Sequence, residues 1–333
     1  MLAAGGGATL SWATEKHLSN ALGRHRRPKG ALSTQNHLPY SEWKLKMKFA
    51  SFTQGNSTIV GIVDAGADRV RPVDGVGDMA DLIARYAEFG PSLASNTREI
   101  ALADIQLTAP IVIPRRNIFC VGKNYGEHAR EFSNSGFEAG AKKGQEIDEY
   151  PAIFSKGPNT VVGPGATVQL HGEITSSVDY EAELAVIIGK PGRNISRKDA
   201  YSHVFGYTIA NDVTARDRQK KHKQWFMGKT LDTFCPMGPW ITTSDELDPE
   251  NLDVKCWVNG ELRQSANTKD LIFDIPSLIA TISAGLTLVP GDIIATGTPA
   301  GVGIGFNPPK FLRTGDVVAI EISGIGRLEN RFA

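Results

Sequence analysis

Cysteine is scarce: Cys120, Cys235 and Cys256 are the only three in 333 residues, and none lies in a C-x-x-C spacing. That argues against a zinc ribbon and a disulfide framework, and makes a reducing compartment the default. No stretch approaches the roughly 20 consecutive apolar residues of a spanning helix. No apolar h-region follows the N-terminal charges either, so neither a membrane protein nor a secretory signal is read. Net charge is missing as well, with 36 Lys+Arg against 36 Asp+Glu. The basic run "GRHRRPKG" lacks the aromatic or repeat context of a nucleic-acid arm. Absence of a P-loop or a paired-metal motif disfavours phosphate-ester chemistry, and "GVGIG" at 301–305 has neither the spacing nor the following helix of a dinucleotide fingerprint. What is abundant is glycine, 35 residues against 5 Trp and 7 Tyr, which points to many tight turns and a β-rich fold.

The balanced charge conceals an asymmetry. Lys16, Arg24, Arg26, Arg27, Lys29, Lys44 and Lys46 face only Glu15 and Glu42, leaving the first 47 residues at +5. Residues 1–46 read as an extension: a transit-type peptide, an unstructured tail, or a start placed ahead of Met47, where "MKFASF" opens a good first strand. A cytoplasmic location is expected, or a mitochondrial one in a eukaryote. A hairpin around Gly55-Asn56 and a helix ending at Gly90 then form a small N-terminal domain over 47–109. From 110 to 333 about nine short β-branched or alternating runs are bounded by Gly, Pro, Asn or Asp, with helical pieces at 124–133, 197–202 and 274–284. Ser196 and Asp274 are the caps expected for the last two. The fold class is mainly β with some α, a mixed β-sandwich or roll.

Four segments carry chemistry. In "SSVDYEAELAVIIGK" the strand period puts Glu181 and Glu183 on one face, with Asp179 just before them and Tyr180, Ala182, Leu184 and Val186 turned to the core. "FGYTIAND" runs an apolar strand into Asp212. Glu181, Glu183 and Asp212, two on one strand and one at the end of another, make a hard-oxygen site suited to Mg²⁺, with Mn²⁺ or Ca²⁺ as substitutes. Glu-x-Glu alone reads first as a solvated strand face. In "VGKNYGEHAREF", His128 and Glu131 share a helix face and can hydrogen-bond, as a general base requires; an isolated pair of this kind is more often a surface feature. The segment 211–240 supplies Arg216, Gln219 and Lys229, donors suited to an anionic substrate developing enolate charge, although its cations also read as one solvated basic loop. Asp217 is expected to be structural, with a neighbouring Arg as one candidate partner. In "GDIIATGTPAGVG", backbone N–H groups and Thr298 could grip a carboxylate, or simply form a Gly-rich turn. The three cysteines read as core residues, and Trp225 and Phe226 as core or pocket-mouth residues.

Taken in order, "CVGKNYGEHARE", "PAIFSKGPNTVVGPG", "DYEAELAVIIGK", "GYTIANDVTARDRQ", "GKTLDTFCPMGP" and "PGDIIATGTPAGVG" resemble the fumarylacetoacetate hydrolase superfamily over roughly 110–330. "KQWFMGKTLDTFCPMGP" is most similar to the fumarylacetoacetate hydrolase domain-containing protein 2 branch and its bacterial relatives. The resemblance implies the family's β-sandwich roll, a homodimer, and a divalent metal, usually Mg²⁺, on Glu181, Glu183 and Asp212. It implies a His128–Glu131 dyad on a lid-like segment, and substrate or enolate contacts from Lys229, Gln219, Arg216 and Thr298. Two departures stand out: the Asp212-to-Lys229 interval is shorter than in the mitochondrial acylpyruvase, and 133–149 reads as a longer lid loop.

The expected substrate is a small anionic 2-oxo acid. The leading expectation is hydrolytic C–C cleavage of a 2,4-dioxo acid of acylpyruvate or fumarylpyruvate type. Its alternatives are a keto–enol tautomerase or isomerase acting on oxaloacetate or a 2-hydroxydienoate, a β-keto acid decarboxylase, and a non-enzymatic metal-binding β-protein. Neither nucleic acid nor membrane is an expected partner.

Overall fold

Alternation in "KFASFTQGNSTIVGIVD" dictates a hairpin. In the computed structural model, which describes residues 46–90, 93, 96–136 and 148–333, Lys48–Gln54 and Ser57–Asp64 pair in continuous register from Lys48↔Val63 to Gln54↔Ser57. Residues 1–45 of the expected extension and 137–147 of the expected lid loop lie outside the described residues. Asp78 caps a helix at Met79–Ala84, but the single helix expected up to Gly90 is interrupted. Arg85 leaves helical dihedrals (φ −110°, ψ 14°) and a separate turn, Tyr86–Phe89, follows.

Lys48 and Phe49 also pair with Thr242 and Ile241, so one sheet runs from the 47–109 segment into the rest of the chain. Its order continues through Cys235–Thr243, Val204–Asn211, Ala182–Ile188, Ile293–Ala295, Ile118–Gly122 and Ala152–Lys156. A second sheet orders Glu261–Asn267, Asp253–Val258, Val317–Ile322, Gly326–Phe332 and Thr167–Val168. The fold is mainly β with some α.

Ala182–Ile188 is the central strand and is buried along its whole length. Leu184, Val186 and Ile188 pack with Val254, Ile320 and Leu328 of the second sheet. Ala185 and Ile187 turn to the opposite core, where Phe49, Phe205 and Ile241 lie. Burial on both faces explains the near-continuous apolar run "AVII" better than a half-exposed strand would. It also decides between the two readings of Glu-x-Glu, because the face carrying Glu181 and Glu183 is covered, not solvated.

Two nine-residue helices flank the sheets, Gly126–Asn134 and Ile275–Ser283. Asp274 caps the second, its side chain accepting from the Ser277 N–H. At 197–202 only a 3₁₀ turn forms, shifted to Ala200–His203; Ser196 accepts the Asp199 N–H at 3.3 Å ahead of it. No described helix is long and apolar enough to cross a membrane.

Candidate active site

The antiparallel register Ala182↔Asn211 brings the start of one central strand beside the end of its neighbour. Glu181 and Glu183 therefore meet Asp212, whose N–H donates to the Glu181 carbonyl at 2.8 Å. One oxygen from each of the three carboxylates lies within 4.8 Å of the others, and all three side chains are buried. Like charges so placed in a low-dielectric interior repel strongly and require compensation.

Part of that compensation comes from cations that are themselves buried. Lys229 Nζ lies 2.6 Å from Glu181 and 2.7 Å from Asp212. Arg216 reaches Asp179 through Nε at 2.9 Å and Glu181 through Nη2 at 2.7 Å, while Nη1 donates to Gln219 Oε1 at 3.2 Å. Lys156, fully buried, donates to Asp212 Oδ1 at 2.6 Å and to the Val213 carbonyl at 2.9 Å. Burial alone would raise Glu181, but Arg216 and Lys229 outweigh it and hold the carboxyl well below the usual range. Burial lowers Lys229 and Arg216, yet their carboxylate partners raise both further.

Glu183 is the exception. Its Oε2 accepts the Gly297 N–H at 2.9 Å, and among the described residues none of the ion pairs reaches it. Burial, then the neighbouring Asp212 and Glu181, push its pKa well above the carboxylate range. With Glu183 ionised, the four carboxylates Asp179, Glu181, Glu183 and Asp212 would face three cations, leaving one negative charge on the Glu183 side without an offsetting partner; this disfavours the ionised form until a further cation is bound. An all-oxygen donor set with that surplus fits a hard divalent cation.

The His128–Glu131 pair forms as expected on helix Gly126–Asn134, with His128 Nδ1 3.1 Å from Glu131 Oε2. It is no surface pair, because His128 is only 4% exposed. The helix is rooted by Asn124, whose amide donates to the Phe273 and Thr296 carbonyls at 3.0 and 2.7 Å and accepts the Phe273 N–H at 2.7 Å.

The Gly-rich segment 297–305 grips carboxylates, as one reading of it supposed, but they are the protein's own. Gly301 N–H donates to Glu131 at 3.0 Å, and the N–H groups of Gly303 and Ile304 donate to Asp179 at 2.6 and 3.1 Å. A Cβ at Gly305 would overlap the Glu131 carboxylate, and one at Gly301, where φ is 101°, would overlap the Arg263 carbonyl. Those glycines are required by close approach, which a reading of "GVGIG" as a plain turn did not reveal.

A small cavity, with room for little more than a water molecule or an ion, gathers His128, Glu181, Glu183, Arg216, Gln219, Lys229 and Thr298 in its wall, along with Lys123 and an apolar side of Val121, Phe132, Phe154 and Trp225. Two further expected residues stand just behind it, Glu131 against His128 and Asp212 against Lys229. Thr298 Oγ1 accepts from Gln264 Nε2 at 2.8 Å. Lys156, Asn124 and Gln264 were missed by the sequence reading, which placed Asp179 beside the two glutamates without giving it a role.

Some expectations need correcting. Arg216 leaves the supposed solvated loop for the interior, whereas Lys220, Lys221 and Lys223 are exposed as expected. Asp217 pairs with no arginine side chain there; it accepts the Thr175 hydroxyl at 2.5 Å and the Arg218 N–H at 2.8 Å. Phe226 is 39% exposed. All three cysteines are buried, and burial pushes each thiol up, Cys235 to about 12.

Residues 117–333 match the family profile described as fumarylacetoacetate (FAA) hydrolase C-terminal. The chain is similar to oxaloacetate tautomerase YisK of Bacillus subtilis (strain 168), 56% identical over 233 residues that cover 70% of this chain and 74% of that one. It is similar to the mitochondrial oxaloacetate tautomerase fahd2 of Xenopus laevis, 45% identical over 242 residues covering 72% of each. Among solved structures, fumarylacetoacetate hydrolase (EaFAH) from psychrophilic Exiguobacterium antarcticum superposes with a TM-score of 0.75 at 42% identity, over 86% of this chain and 99% of that one. With the profile spanning more than half of the sequence and the solved fold shared over nearly the whole of that relative, the chain belongs to the fumarylacetoacetate hydrolase family of enzymes.

Proposed function

We propose that this enzyme is a divalent-metal-dependent keto–enol tautomerase of a small 2-oxo acid, oxaloacetate foremost. The observation that carries the reading is a buried, carboxylate-held imidazole lining the same small cavity as Glu181 and Glu183, two of three clustered carboxylates that the neighbouring cations do not fully offset. Two relatives bearing the name oxaloacetate tautomerase support it, at 56% and 45% identity. Hydrolytic C–C cleavage, the leading expectation from the sequence, uses the same groups and yields to those relatives.

Glu181, Glu183 and Asp212 would hold the ion, Mg²⁺ by our assignment, and it would supply a Lewis acid for the substrate's 1-carboxylate and 2-oxo oxygen. Glu131 fixes His128 with its proton on Nδ1, so Nε2 is the basic nitrogen. Nε2 takes a proton from C3 of the keto acid, the C–H pair becomes the C2=C3 bond, and the carbonyl π pair moves to O2. Glu131 steadies the resulting imidazolium. Lys229 and Arg216 offset the charge on O2. The proton then returns to O2, giving the enol, and the reverse transfers give the keto acid. With its oxygen engaged by Arg216, Gln219 presents its amide N–H groups to the substrate; with its oxygen accepting from Gln264, Thr298 presents its O–H.

A homodimer also belongs to this reading, supported by Val112, Ile113, Tyr150 and Ile153, large apolar side chains 40–76% exposed. The deciding experiment follows freshly dissolved enol-oxaloacetate and an acylpyruvate panel by ultraviolet absorbance and pyruvate release, with Mg²⁺ and with EDTA. Mg²⁺-dependent enol decay without pyruvate is expected. Pyruvate and a carboxylic acid released from acylpyruvates, with enol-oxaloacetate untouched, would restore the hydrolase.

A further inference from the structure

A four-carbon 2-oxo dicarboxylate carries a second carboxylate, and the triad with its cations accounts only for the first. Among the cavity's cationic side chains, Arg216 is held by the buried Asp179 and Glu181, and Lys229 by the buried Glu181 and Asp212. Beside the triad they can face O2 without leaving those partners, but drawing either away to a distal carboxylate would strand a buried carboxylate, which is strongly unfavourable.

Lys123 differs. It lines the same cavity and its side chain is 9% exposed, yet it pairs at 2.7 Å with Asp148, which is 44% exposed. Exchanging Asp148 for a substrate carboxylate returns the half-exposed Asp148 to water while the buried ammonium keeps an anionic partner. The ammonium's root is fixed as well. Strand Ile118–Gly122 ends immediately before Lys123, which adopts left-handed backbone (φ 54°). The next residue, Asn124, is bonded on both sides, its carbonyl accepting the Ile272 N–H and its amide donating to Thr296. A lysine held in a conformation that disfavours lysine, at the rim of a site for anions, marks a positional demand on its side chain.

We propose that Lys123 is the seat of the distal carboxylate of a C4 dicarboxylate substrate, taken in exchange for Asp148. This rests on the 2-oxo acid reading above and makes the enzyme selective for dicarboxylates over their monocarboxylate counterparts. Asp148 is then a competitor that occupies the seat until substrate arrives.

Malate and lactate test this without turnover, since neither can enolise and they differ by the distal carboxylate. Binding of each to the Mg²⁺-loaded enzyme is measured by calorimetry, alongside Lys123→Met and Asp148→Asn, with melting temperatures to verify folding. The intact enzyme is expected to prefer malate by about tenfold to a hundredfold, the range for a charge-assisted contact. Lys123→Met should remove that preference while leaving lactate within about twofold. Asp148→Asn should move the other way, tightening malate severalfold by removing the competitor. Equal binding of malate and lactate by the intact enzyme, or unchanged discrimination in Lys123→Met, would overturn the seat; weaker malate binding in Asp148→Asn would overturn the exchange. If discrimination behaves as stated but enol-oxaloacetate is not tautomerised, only the catalytic reading falls.

Discussion

Replacing Lys156 by Met separates two demands on the acid cluster. The ammonium is fully buried, with Asp212 at 2.6 Å and the Val213 carbonyl at 2.9 Å, and the thioether fills similar space without charge. Removing one partner of a buried pair costs about 3–5 kcal/mol. At roughly 2–4 °C per kcal/mol for a chain of this size class, the metal-free melting temperature should fall by about 6–20 °C. The same change leaves the cluster one charge more negative. At an effective dielectric of about 20, unit charges roughly 4–8 Å apart interact by about 2–4 kcal/mol, so a divalent cation should bind more tightly by at least about thirtyfold. The stability gained on adding Mg²⁺ must then be larger in Lys156→Met than in the parent. Scanning fluorimetry of both proteins in EDTA and across a Mg²⁺ titration reads this directly. A melting temperature that drops equally with and without Mg²⁺ would refute the charge account, and a drop below 1 °C in EDTA, where about 6 °C or more is expected, would refute the burial account.

Other perturbations give independent readings. Glu131→Gln should lower kcat by about 10²–10⁴ while Mg²⁺ affinity survives, because it touches the imidazole and not the triad; unchanged turnover would end the dyad assignment. Gly305→Ala drives a methyl group into the Glu131 carboxylate, so kcat should fall toward that of Glu131→Gln at a stability loss of about 1–3 kcal/mol, read from turnover and melting together. Glu183→Ala should abolish Mg²⁺ binding by calorimetry; retained affinity would place the ion elsewhere. Burial raises all three thiols, so Ellman's reagent should find none in the native protein and three after denaturation, whereas fast native labelling would contradict their positions.

Much of the site was legible in the sequence because its key groups lie within short segments. Glu181 and Glu183 are two apart on a strand, Asp212 ends another, and His128 and Glu131 are one helical turn apart. What stayed hidden depends on distant contacts. Lys156 meets Asp212 across 56 positions, Asp179 takes the Gly303 N–H across 124, and Gly301 reaches Glu131 across 170. No local period encodes such pairs. Burial of the Glu-x-Glu strand was hidden for the same reason, since it is covered partly by Phe49 from the first hairpin. Arg216 was named as a donor, but the alternative of one solvated basic loop stayed open because charge runs report composition, while burial reports what packs on top.

The segment from Gly297 to Gly305 holds Glu183, Glu131 and Asp179 through successive backbone N–H groups. The His128–Glu131 helix, the acid triad and the arginine behind Asp179 thus share one short stretch of main chain, in addition to the ion pairs and the Asn124 contacts that tie them separately. A displacement of that stretch would carry Glu131, Glu183 and Asp179 together, so the shared support favours a constant spacing between the proposed base and the proposed anion seat. Correlated error of this kind keeps a proton transfer in reach without demanding that the whole molecule be stiff.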